Sequence, residues 1–105
     1  MRVIFHPELP ADIKRHQADY EEISPRLGGR FRREVEVTIA RIKTHPESAG
    51  HFLNTGSSIV REFRRANLPS FPFFVLYARH LELIIVGALI PSRSDPLTWL
   101  KRLRR

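Results

Sequence analysis

The closing third of this 105-residue chain most constrains what it can fold into. Residues 71–105 read FPFFVLYARHLELIIVGALIPSRSDPLTWLKRLRR, with apolar runs at 73–77 and 82–90 on either side of a short turn at 78–81. Runs of strand length, rich in Val, Ile, Phe and Tyr, predict a β-hairpin. From Leu83 to Ala88 the second run lacks polar alternation, which predicts a central strand covered on both faces.

The preceding segments supply candidates for that cover. Leu9, Ile13, His16, Tyr20 and Ile23 recur at spacings of four, three, four and three, one face of an amphipathic helix. Ser24-Pro25 ends it and starts another, with Ser24 as N-cap and Pro25 at the first helical position. Leu27, Phe31, Val35, Ile39 and Ile42 form the second stripe, which stops before Pro46. Gly28 and Gly29 weaken its first turn, so the regular helix is expected to begin near Arg30. Two helices with so short a break predict an antiparallel hairpin packed on a flat surface.

The remaining segments complete the order. Residues 2–6 read as a short strand, and Pro7 follows where a first helical turn tolerates proline. Residues 51–58, with Asn54, Thr55 and Gly56, read as a loop. Residues 59–65 read as a mixed strand and 66–70 as a second loop. Asp95-Pro96 is a helix start, and Leu97, Leu100 and Leu103 give a final apolar stripe. Trp99 reads as the anchor of that helix. The expectation is one α+β domain over residues 1–105, ordered β-α-α-β-β-β-α. Its helical hairpin packs on a mostly antiparallel four-stranded sheet, followed by a short C-terminal helix.

Composition excludes several classes. The hydrophobic fraction of 42% is that of a folded domain. No apolar run approaches the roughly 20 residues that span a bilayer, so no membrane partner is expected. With no cysteine, disulfides and thiolate chemistry are excluded. The first residues lack the basic–apolar–small order of a signal peptide, so a cytoplasmic location is expected.

The formal charge of +7 is unevenly placed. Residues 1–50 hold nine Lys/Arg against eight Asp/Glu, net +1; residues 51–105 hold nine against three, net +6. All but Lys14, Lys43 and Lys101 of the basic residues are arginines, whose planar fork suits bidentate contact with phosphate or carboxylate. A basic second half points to a nucleic acid or an acidic protein partner; the competing reading is ordinary solvated charge.

Several chemistries find no support. His6, His16, His45, His51 and His80 show no pair at metal-ligand spacing, so neither a metal nor a cofactor is expected. His16 lies on the first apolar stripe and reads as a partly buried core residue. There is no G-x-S-x-G around Ser57, Ser58, Ser92 or Ser94, and Gly28-Gly29 lacks the Lys-Ser/Thr of a phosphate loop. The better constellation is basic. Alternation puts Arg61 and Arg65 on one strand face and Arg64 on the other, and Arg93 follows the last strand. Tyr77 could add a phenol if its side chain emerges on the face of Arg61 and Arg65. Such a group could grip an RNA backbone or stabilise charge on a phosphate during cleavage. The alternative is pairing of Arg61 or Arg65 with Glu62 or Glu82. Phe71, Phe73 and Phe74 could be stacking platforms but read more simply as core. Lys101, Arg102, Arg104 and Arg105 form a basic tail, read here with Arg61, Arg64, Arg65 and Arg93 as a binding surface.

In sum of its ordered features the chain resembles the RelE/ParE superfamily, the toxin half of bacterial type II toxin–antitoxin modules. The features are the first strand followed by HPE, YEEISPRLGGRFRREVE, the paired arginines, FPFFVLY, LIIVGALI and RSDPLTW, nearly end to end from Val3 to Trp99. The SPRLG and RSDP segments are more similar to the ParE and plasmid-stabilisation branch. The resemblance implies a cognate acidic antitoxin with apolar anchors, lying across the sheet, its edge or the helical hairpin. ParE-like members poison DNA gyrase by binding. RelE-like members cleave messenger RNA on the ribosome with Lys, Arg and Tyr, and Arg61, Arg65, Tyr77 and Arg93 would stand near those positions. This chain has no lysine between Lys43 and Lys101, and Pro91 stands where many members place a histidine after the last strand. The expectation is therefore a ParE-like toxin. An mRNA endoribonuclease is the alternative, and a detoxified RNA- or protein-binding module a third.

Overall fold

The computed structural model describes residues 2–49, 51–52, 62–95, 99 and 102. The chain is α+β: a helical hairpin packed on a mixed sheet, with the N-terminal strand first. The elements are β1 (Arg2–Phe5), α1 (Leu9–Ile23), α2 (Pro25–Thr44), β2 (His51–Phe52), β3 (Glu62–Asn67), β4 (Phe73–His80) and β5 (Leu83–Pro91). The sheet order is β1-β5-β4-β3-β2; β1 runs parallel to β5 and the other neighbours are antiparallel.

The sheet has five strands rather than the expected four. The extra one, β2, pairs His51 with Arg65 and Phe52 with Arg64, inside a segment expected to be loop. Two residues carry no readable period. The rest of that loop, and the start of the strand expected from residue 59, lie outside the described residues. β3 continues to Asn67, past its expected end. β4 likewise continues to His80, so the hairpin turns at Leu81 and Glu82, with Leu81 at φ 55°. The expected C-terminal helix also lies outside the described residues, apart from Trp99 and Arg102.

α2 starts at Pro25, earlier than the glycines suggest. The Ser24 hydroxyl accepts a hydrogen bond from the Leu27 N–H at 3.0 Å, satisfying one of the helix's free donors. Gly28 is buried, and a Cβ there would stand 2.2 Å from Glu21 Cγ and 3.3 Å from its Cα. The missing side chain therefore lets α1 and α2 approach closely just after the turn, which outweighs its poor helix propensity.

Both faces of the sheet are buried. Towards the helices, Phe73, Val75, Tyr77, Ile84, Val86 and Leu89 pack with Ile13, Phe31, Val35 and Ile42. On the outer face, Phe63, Phe74, Leu76, Ala78, Ile85, Ala88 and Ile90 form a second cluster joined by Leu83 and Trp99. A bulge links these patterns: Leu76 pairs with Ala88 but Tyr77 with Val86, leaving Gly87 as the extra residue. Before it, Ile84 and Val86 face the helices; after it, Leu89 does. Phe71, Phe73 and Phe74 are core residues, and each fully buried Phe or Leu contributes about 1.5–3 kcal/mol.

Candidate functional site

The basic cluster expected from the sequence does not assemble among the described residues. Phe63 and Arg65 share the outer face of β3, and Arg64 faces the helix side, opposite Tyr77 in register. The Arg65 guanidinium stacks 4.0 Å above the Phe74 ring, and its Nε and an Nη donate to Asn67 Oδ1 at 3.3 and 3.2 Å. Among the described side chains its acceptor is thus Asn67. Arg93 is exposed in the turn after β5. Arg61, Lys101, Arg104 and Arg105 lie outside the described residues.

Tyr77 does not emerge beside Arg65. It is fully buried on the helix-facing side, and its hydroxyl donates to the Pro46 carbonyl at 2.8 Å. Strand alternation puts Arg65 and Tyr77 on opposite faces of one sheet, because residue 65 pairs with Leu76 and residue 64 with Tyr77. They cannot act on the same phosphate.

Arg102, expected in the binding surface, makes contacts within the fold. Its guanidinium donates to Asp12 at 2.6 Å (Oδ2) and 3.4 Å (Oδ1), and its side chain is only 10% exposed. Asp12 is 1% exposed, so this carboxylate on α1 is buried together with its partner. The location explains the need. β1 pairs with β5 only as far as Phe5–Val86, and the His6 N–H closes that ladder on the Val86 carbonyl. Pro7 then turns the chain into α1, so β1 does not continue along the next stretch of β5, whose other edge stays paired with β4. Side chains take its place: Leu89 N–H reaches Asp12 Oδ2 at 3.4 Å, and Arg102 donates to the Gly87 carbonyl at 3.3 Å. Trp99 lies under the guanidinium, 4.6 Å from ring centroid to Cζ.

Sequence reasoning missed Asp12. It follows Leu9 by three and precedes His16 by four, a position on the buried face that its charge disguised. His16 itself is half-buried with its ring 4.7 Å from Phe73, as its stripe position implied. Burial lowers its pKa, aided by Arg15 and opposed by Asp19 and Asp12. Tyr20 packs against Phe31, Phe71 and Phe73; burial raises its pKa, and Asp19 adds to the rise.

A groove of about 800 Å³ runs along the outside of the helical hairpin. Its floor is Phe5, Leu9, Ile13, Val35 and Ile39, a continuous apolar strip from the end of β1 to the middle of α2. Arg32 on its wall is occupied, donating to Glu36 at 2.9 Å and to Gln17 at 3.4 Å. Lys14 and Lys43 stand on the wall without an ion pair among the described residues; the Lys43 ammonium lies 5.0 Å from the Phe5 ring centroid. The groove suits an amphipathic segment that inserts apolar side chains and offers carboxylates to those lysines. Among the described residues no helix is long and apolar enough to cross a membrane. No protein-family model, no curated protein and no solved structure matches this chain.

Proposed function

We propose that this chain is the toxin of a bacterial type II toxin–antitoxin module, of the ParE-like branch, acting by binding a target protein rather than by cleaving RNA. The observation that carries binding over cleavage is Tyr77. Its phenol is committed to the Pro46 carbonyl inside the core, on the opposite face from Arg65. A phosphate held by Arg65 would therefore lack a phenol for proton transfer or base stacking. DNA gyrase is the target that the sequence resemblance implies.

The same proposal seats the antitoxin in the helical groove. An acidic segment with apolar anchors would bury side chains against Ile13, Val35 and Ile39 and pair with Lys14 and Lys43. Such rim charges act mainly on association rate and its salt dependence. The test is co-purification with the product of an adjacent small open reading frame, at low and moderate salt. Binding and rescue of growth by that product, weakened about tenfold or more in Lys14→Glu/Lys43→Glu, is the expected result. No rescue by any adjacent small protein would remove the toxin reading. Rescue unaffected by the double reversal would move the antitoxin away from this groove.

A further inference from the structure

The two helices of the hairpin carry opposite charge. α1 has Lys14 and Arg15 against Asp12, Asp19, Glu21 and Glu22, net −2. α2 has Arg26, Arg30, Arg32, Arg33, Arg41 and Lys43 against Glu34 and Glu36, net +4. Charge summed over half the chain hides this separation.

Within α2 the arginines are also sorted by face. At 3.6 residues per turn, Arg26, Arg30, Arg33, Val37 and Arg41 fall within an arc of about 80°. The buried residues Phe31, Val35, Thr38 and Ile42 centre about 130° from the middle of that arc, and the groove-lining Arg32, Glu36, Ile39 and Lys43 lie on a third side. The stripe faces away from both the core and the groove. All five of its residues are exposed.

Among the described residues no carboxylate pairs with it. Arg26, Arg30, Arg33 and Arg41 have no ion pair among the described residues; Arg41 donates only to the Ala49 carbonyl, at 3.3 Å. The Arg30 guanidinium carbon lies over the Phe71 ring, 6.0 Å from its centroid, a contact that leaves the charge uncompensated. The flanking carboxylate, Glu34, accepts the Ser70 N–H at 2.9 Å, and Glu36 is held by Arg32 on the groove side. Four guanidinium groups thus stand along about 22 Å of straight helix, from Arg26 to Arg41.

We propose that this face of α2 docks the phosphodiester backbone of a double-stranded nucleic acid. Two features favour it over an acidic protein. A protein interface of useful affinity needs an apolar centre, and Val37 is the stripe's single apolar residue. A row of cations on a rigid rod instead matches a ligand whose anions are evenly spaced and fixed, and arginine suits phosphate by its bidentate fork. With no base-reading loop in the stripe, recognition is of the backbone and independent of sequence. The proposal stands apart from the toxin reading, and either can fail alone.

The test is fluorescence anisotropy of the full chain with labelled 20-base-pair DNA and RNA duplexes from 50 to 200 mM salt. Four phosphate contacts contribute about −3.6 to the slope of log K against log salt on DNA, a loss of about 150-fold across that range. Arg26→Gln/Arg30→Gln/Arg33→Gln/Arg41→Gln should remove that contribution, and each half-variant (26 with 30, 33 with 41) about half of it. The half-variants keep the test decisive if the quadruple variant melts early. Tighter binding of RNA than DNA, or the reverse, identifies the natural duplex; both keep the proposal. It is overturned if the slope is unchanged in the stripe variants and lost instead in Lys101→Gln/Arg104→Gln/Arg105→Gln. Displacement by poly-glutamate as readily as by unlabelled duplex overturns it too.

Discussion

Replacing Asp12 by alanine should be among the most damaging single changes to this protein's stability. Asp12 is 1% exposed and sits between an Arg102 guanidinium at 2.6 Å and the Leu89 N–H at 3.4 Å. Removing it leaves a cation with a 10% exposed side chain only the exposed Glu8 carboxylate at 3.8 Å, and takes away Leu89's acceptor at the edge of β5. Breaking a buried pair from one side costs about 3–5 kcal/mol. The residual exposure of Arg102 and its contact with Trp99 put the expected loss near the lower end, about 3 kcal/mol. For a domain of this size that lowers Tm by about 12–24 °C. Arg102→Met should cost less, because the remaining carboxylate keeps Leu89 N–H and Arg15 beside it. The Asp12→Ala/Arg102→Met double variant should be more stable than the sum of the singles predicts, by about 1 kcal/mol or more. Urea unfolding followed by circular dichroism measures all three. Additive losses, or an Asp12→Ala cost below about 1 kcal/mol, would refute the view that this pair closes the sheet edge.

Three further outcomes follow from single positions. Gly28→Ala should destabilise by about 1–3 kcal/mol through contact with Glu21, whereas Gly29→Ala, which meets open space, should stabilise by up to about 1 kcal/mol; paired thermal melts separate them. Leu81→Gly should raise stability by about 0.5–1 kcal/mol, because Leu81 is held at φ 55° while 82% exposed; denaturant midpoints at constant slope report it. His16, whose folded pKa lies below its unfolded 6.5, contributes stability that is complete above pH 6.5 and lost as pH falls through the folded value. Stability measured from pH 7.5 down to 4.5 should therefore decline less steeply in His16→Gln than in the parent.

Local signals were legible and long-range ones were not. The β4–β5 hairpin and both helices follow from periodicities contained within each segment, and the unbroken run at 83–88 announced a strand buried on both faces. β2 was invisible because two residues become a strand only through their partners Arg64 and Arg65. The start of α2 was misjudged because propensity counts against Gly28, while close approach to Glu21 favours it. At the site, alternation shows that Tyr77 shares a face with Val75, but only the sheet's position against the helices tells which face. Arg102 looked like one more cation in a basic tail, since its carboxylate partner lies 90 residues away. The arginine stripe of α2 was present in the sequence throughout, concealed by the acidic helix beside it.

The most direct measurement is controlled expression of the chain without a partner, following growth, DNA synthesis and message integrity, with Tyr77→Phe in parallel. The account predicts growth arrest with an early DNA-damage response and intact messages. The arrest should survive in Tyr77→Phe at a stability cost of about 1 kcal/mol for the lost hydrogen bond to Pro46. Rapid loss of translated messages, abolished by Tyr77→Phe in a folded protein, would contradict it and restore cleavage.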